Sequence, residues 1–125
     1  MTARDFRRMA LALNDAIESA HMGHPDFRVN GRIFATLHAG DVHAMVKLTP
    51  EQQQTFLDGH PSIFAPESGA WGRAGCTRVT LKAATADVVG EALTLAWQNT
   101  VAPKRPSKPS KKKPASKPRK QSART

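Results

Sequence analysis

The pair Asn30-Gly31, flanked by the runs 27–29 and 32–37, constrains this chain more than any other stretch. Both residues tolerate positive φ, which a two-residue type I′ turn requires, and the twist of that turn matches the twist of its strands. Such a turn sets Phe27 opposite Phe34 and Arg28 opposite Ile33. A second turn at His38-Ala39-Gly40-Asp41 leads into a third strand over 42–48. Its pairing sets Leu37 opposite Val42, Ala35 opposite Ala44 and Ile33 opposite Val46. The expectation is an antiparallel meander, with the rest of the chain covering one of its faces.

Strand side chains alternate with period two, so this register sorts them. Ile33, Ala35, Leu37, Val42, Ala44, Val46 and Leu48 form a wholly apolar face, the expected core. Phe27, Val29, Arg32, Phe34, Thr36, His43, Met45 and Lys47 form the other, which mixes aromatics with two cations. Covered by a later segment, it is a second thin layer, with Arg32 and Lys47 reaching solvent over their apolar stems. Left open, it is a ligand surface.

The flanking segments read as follows. Thr2 with Asp5 three residues on is a near capping box, and Phe6, Met9, Ala10 and Leu13 make one apolar helical stripe that Asn14-Asp15 ends. Residues 16–22 carry a weak strand pattern, and Gly23-His24-Pro25-Asp26 reads as a turn. Thr49-Pro50-Glu51-Gln52 opens a second helix, with Phe56 and Leu57 facing inward and Gly59 closing it. Residues 63–65 are extended, and Pro66 marks an edge position or a loop. Trp71 sits in a glycine-flanked turn. From Cys76 to Lys82 the chain alternates as a half-buried strand, with Thr77, Val79 and Leu81 inward. Thr85 opens a last helix with the stripe Val88, Val89, Ala92, Leu93, Ala96 and Trp97. The fold class is α+β: an antiparallel meander sheet with helices packed on one face, over residues 1–102.

Charge divides the chain again. Residues 103–125 contain ten Lys or Arg and no acid, whereas residues 1–102 hold nine basic against ten acidic residues, a formal charge of −1. The net charge of +9 therefore belongs to the C-terminal segment. That segment has no apolar residue larger than Ala or Pro, so it is expected to be a disordered basic tail. A single cysteine excludes an internal disulfide and suits a reducing cytoplasm. No run approaches the roughly 20 apolar residues of a membrane span.

Gly31-Arg32-Ile33-Phe34-Ala35, Lys47-Leu48-Thr49-Pro50-Glu51, and Trp71 ahead of the strand at 76–82 come in an order that resembles the MmcQ/YjbR-like family of small bacterial proteins. The likeness spans nearly all of residues 4–105. Asn14-Asp15 replaces a Pro-Gly common in that family, and Ala96-Trp97 replaces a Ser-Tyr pair. The resemblance implies a compact domain of the "double wing" type, in which projecting hairpins sit on DNA.

Functionally, the tail is an electrostatic device: cations that neutralise phosphates release counterions, and affinity follows without sequence information. The candidate nucleic-acid contacts are Lys104, Arg105, Lys108, Lys111, Lys112, Lys113, Lys117, Arg119, Lys120 and Arg124 in the tail. Arg28 and Arg32 beside the hairpin tip are the natural wing cations, with Arg73, Arg78 and Lys82 as a second contact. The alternative is a small-molecule site for an anionic aromatic ligand, over Phe27, Phe34, Met45 and Trp71 with Arg32 and Lys47 at its rim. His21 and His24 have the H-x-x-H spacing, but Cys76 stands alone and no metal set is expected. Cys76 has no activating neighbour in sequence, and Gly69-Ala70-Trp71-Gly72 lacks the Lys-Ser/Thr of a phosphate loop. The reading is a monomeric or weakly associating cytoplasmic, nucleoid-associated protein that binds DNA without strong sequence preference, with RNA as a second nucleic acid of the same chemistry, and with no catalysis and no cofactor.

Overall fold

The computed structural model describes residues 1–21 and 23–102; the expectations for the basic tail fall outside these residues. The elements run α1 (Ala3–Leu11), β1 (Ile17–His21), β2 (His24–Val29), β3 (Arg32–Leu37), β4 (His43–Lys47), α2 (Pro50–Gly59), β5 (Phe64–Pro66), α3 (Gly69–Arg73), β6 (Cys76–Thr80) and α4 (Ala86–Val101). The meander is part of a six-stranded antiparallel sheet of order β1-β2-β3-β4-β6-β5. α4 lies across β2, β3 and β4, α1 packs on α4, and α2 packs against β5 and β6.

Both helix starts follow their local sequence. The Thr2 hydroxyl accepts from the Asp5 N–H at 3.1 Å while the Asp5 carboxylate accepts from the Thr2 N–H at 3.0 Å. Thr49 and Gln52 repeat the box at α2, with Pro50 as its first residue. Phe6 and Ala10 are fully buried, but α1 stops at Leu11, and Asp15 takes φ +61° in the turn that follows. Thr85 precedes α4 as expected, although its side chain makes no cap bond. α4 buries Val89, Ala92, Leu93 and Ala96, and the Trp97 Nε1–H donates to the Asn14 carbonyl at 2.9 Å.

Register departs from expectation at three places, each with a physical reason. The β1–β2 turn is tighter than Gly23-His24-Pro25-Asp26: His21 pairs with His24, and Gly23 takes φ +82°. Around Asn30-Gly31, where both residues have positive φ, Arg28 does face Ile33. Beyond that pair Phe27 faces Ala35, so β3 carries one extra residue, Phe34. A bulge of this kind leaves two consecutive side chains on one side of the sheet. Phe34 and Ala35 are both fully buried, and Ile33 turns to the opposite face with Thr36. Between β3 and β4 the connection is longer than four residues, with a 3-10 turn over Ala39–Asp41 in which Gly40 has φ +85°. Leu37 therefore pairs with Ala44 rather than Val42. A slip of two preserves parity, so Ala44 and Val46 remain core, but Val42 leaves the sheet and is 53% exposed.

The Trp71 segment folds as a short helix rather than a plain turn, and β6 ends at Thr80 before a 3-10 turn over Leu81–Ala83. β6 enters the sheet through Gly75. That residue has φ +114°, and a Cβ on it would lie 2.0 Å from the Leu48 carbonyl oxygen.

Two expectations follow. Gly75→Ala combines a disfavoured backbone with a main-chain clash and costs on the order of 3 kcal/mol in urea unfolding. Hydrogen bonds from the Thr2 backbone N–H and hydroxyl, then Arg8, lower the Asp5 pKa. Its contribution to stability is thus present above the ordinary carboxylate range and lost as pH falls through the folded value. Thermal unfolding of wild type and Asp5→Asn should differ at neutral pH and converge in acid.

Candidate functional site

Among the described residues the face of the sheet away from α4 is left open, and the segment between β5 and β6 borders it. Gln53 of α2, buried, places its amide Nε2 within 3.0 Å of two carbonyls, Gly72 and Cys76, and so ties α2 to both α3 and β6. Gly72 packs directly on the preceding loop: a Cβ there would lie 1.8 Å from the Glu67 carbonyl oxygen. The Glu67 N–H donates to the Cys76 carbonyl at 3.0 Å. These contacts hold Glu67 with its carboxylate over the open face, where Arg78 donates to it at 3.2 Å and His38 Nε2 lies 2.7 Å away.

A concavity of 420 Å³ results. Ile33 and Thr36 of β3 and Met45 and Lys47 of β4 form its floor. His38, Glu67, Ser68 and Cys76 close it, and Trp71 of α3, itself 67% exposed, forms the outer wall. Burial raises the Cys76 thiol pKa, Lys47 opposing and Glu67 reinforcing the effect, so the sulfur stays protonated and weakly nucleophilic. Among the described residues no cluster of three His, Cys, Asp or Glu side chains is placed to hold a metal ion.

Of the residues proposed for a ligand pocket, Met45, Lys47 and Trp71 line this concavity. Arg32, Phe27 and Phe34 do not: Arg32 pairs with the buried Val29 at the hairpin tip, and both phenylalanines are fully buried on the helix side, Phe34 because the bulge reverses its face and Phe27 because it opposes Ala35. Thr36 joins them from the expected mixed face, and Ile33, His38, Glu67, Ser68 and Cys76 complete the lining without having been foreseen. Gln53 was also missed, although a polar residue one turn before Phe56 on an inward stripe signals a side chain aimed at buried backbone.

The candidate nucleic-acid cations separate in space. Arg28 grips the buried Asp26 carboxylate with two bonds, 2.8 Å from Nε and 3.1 Å from Nη2, and Asp26 raises the Arg28 pKa. Arg78 is held by Glu67. Arg32, Arg73 and Lys82 are exposed, and among the described residues no carboxylate lies within ion-pair distance of them. Arg32 and Arg73 stand toward the end of the sheet where β4 finishes and β6 begins, whereas Lys82 follows β6 at the opposite end. The last turn of α4 reaches the first of these ends, with Asn99 donating to the Lys47 carbonyl at 3.2 Å. The tail cations, Lys104 through Arg124, lie outside the described residues.

Residues 11–99 match the sequence profile of YjbR. The chain belongs to the YjbR family. Its fold is similar to that of the Deinococcus radiodurans protein DR2400, described by its DUF419 domain, with a TM-score of 0.67 and 21% identity. The likeness covers 78% of this chain and 77% of that one. No curated protein matches the sequence. Among the described residues no helix of this YjbR chain is long and apolar enough to cross a membrane.

Two measurements check this geometry. Arg28→Ala strands the Asp26 carboxylate, 1% exposed, without its guanidinium, and should lower the midpoint of equilibrium unfolding. Arg32→Ala should stay within about 0.5 kcal/mol of wild type. Cys76 should react with iodoacetamide much more slowly in the native protein than in urea at the same pH.

Proposed function

We propose that this YjbR protein binds DNA without strong sequence preference, through the basic segment after Ala102 assisted by Arg32 on the β2–β3 hairpin. The observation that carries the reading is the charge division: ten cations and no acid follow residue 102, after a domain of formal charge −1. Phosphate neutralisation by such a segment releases counterions and needs no shaped groove. The placement of α4 supports a joint contact. Its C-terminal turn ends beside Lys47, at the end of the sheet that also presents Arg32 and Arg73. Arg28 and Arg78 are already matched by carboxylates and add little to phosphate binding. Contact with the phosphate backbone does not distinguish DNA sequences, and the same chemistry extends to RNA. The protein acts in this reading as a binder rather than an enzyme, and works in the compartment that holds nucleic acid.

Duplex affinity across a salt series tests the reading. Log affinity should fall linearly with log salt, by about 0.9 for each phosphate neutralised. Ending the chain at Ala102 should remove most of the affinity and most of the slope. In the full chain, Arg32→Ala should reduce the slope by about one. Arg28→Ala and Arg78→Ala should leave it unchanged. Binding that survives truncation with its slope intact would overturn the role of the tail.

A further inference from the structure

The concavity on the open face is chemically unlike a phosphate groove. Its apolar surface comes from Ile33, Met45 and the Trp71 indole, and its 420 Å³ lies within the range of small-molecule clefts. Two full charges reach it, and only one is spoken for. Glu67 is matched by Arg78 and hydrogen-bonded to His38, so it neither attracts a cation strongly nor repels an anion. Lys47 is half-buried, and among the described residues no carboxylate lies within ion-pair distance of its ammonium. A half-buried lysine without a counter-ion among the described residues therefore lines the same concavity as Trp71, which is 67% exposed.

We propose that this concavity binds a planar aromatic compound carrying an anionic group, with the ring against Trp71 and Met45 and the anion on the Lys47 ammonium. An aliphatic anion leaves the indole in water, and a neutral aromatic leaves Lys47 without a partner. Aromatic stacking and a charge-assisted contact satisfy both at once. Free aromatic carboxylates and nucleotides share this chemistry. Its lining residues all fall between Ile33 and Cys76, and binding there does not depend on whether residues 103–125 bind DNA.

The test uses the full chain labelled with 15N, titrated with 2-naphthoate, its neutral amide 2-naphthamide, and adenosine monophosphate. The readout is the indole N–H signals of Trp71 and Trp97. Trp97 is an internal control, because its N–H is bonded to Asn14 on the helix side. 2-Naphthoate should move the Trp71 signal and leave Trp97 in place. The amide should bind about tenfold more weakly, the size of one charge-assisted contact. Lys47→Met should erase the difference between the two naphthyl probes, and Trp71→Ala, followed by backbone amide shifts, should weaken both. Lys47 bonds Asn99 through its backbone carbonyl, which Lys47→Met retains. The cations of residues 103–125 are common to wild type and variant, so they cancel in that comparison. Adenosine monophosphate binding tighter than 2-naphthoate assigns the anion to a phosphate; the reverse order assigns it to a carboxylate. Equal affinity of the two naphthyl probes for wild type overturns the proposal, as does a Trp71 signal unmoved by millimolar 2-naphthoate and adenosine monophosphate.

Discussion

The one extra residue in β3 decides what each face of this sheet can be. Without it, Phe34 would stand on the open side and Ile33 under α4. With it, Phe34 and Ala35 both enter the core opposite Phe27, and α4 closes over them. Full burial of a phenylalanine stabilises by about 2–3 kcal/mol, enough to outweigh a locally broken ladder. The same residue removes both phenylalanines from the open side and leaves Ile33, Thr36 and Met45 there. A hollow remains where a second apolar layer would have formed.

What borders that hollow is held by backbone contacts that exclude side chains. Gly72 against Glu67 and Gly75 against Leu48 bring main chain within van der Waals range, and Gln53 satisfies two carbonyls at the junction. These approaches place Glu67 between His38 and Arg78 without asking any of the three to choose the position. Four of the nine Lys and Arg side chains of residues 1–102 are paired: Arg7 with Glu18, Arg8 with Asp5, Arg28 with Asp26 and Arg78 with Glu67. Residues 1–102 thus mix both signs nearly evenly, whereas residues 103–125 carry cations alone.

How much of this was legible depended on the range of the interaction. The caps at Thr2 and Thr49 are written within four residues, and both form as their sequence demands. The stripes of α1 and α4 and the strand from Cys76, which ends at Thr80 rather than at the expected Lys82, are also local patterns, and the family resemblance agrees with the profile match over residues 11–99. The bulge is not local, because alternation cannot say which of two adjacent apolar residues a distant helix will cover. The five residues between β3 and β4 were misjudged for a similar reason: Gly40 and Asp41 take positive φ that a four-residue turn did not anticipate. Glu67 was invisible as a site residue because its partners lie 29 and 11 positions away. Trp71 and Lys47 drew notice for their chemistry alone, and the fold set them around one hollow.

The edge strand β5 has a consequence for behaviour in a crowded cell. It is three residues long, and its last, Pro66, has no N–H to offer. A sheet that ends this way gives an incoming strand too few donors and acceptors to build on. Growth by edge-to-edge addition is blocked on that side, so the protein resists fibrous self-assembly there through the shortness of one strand, with no need of a charged or covered border.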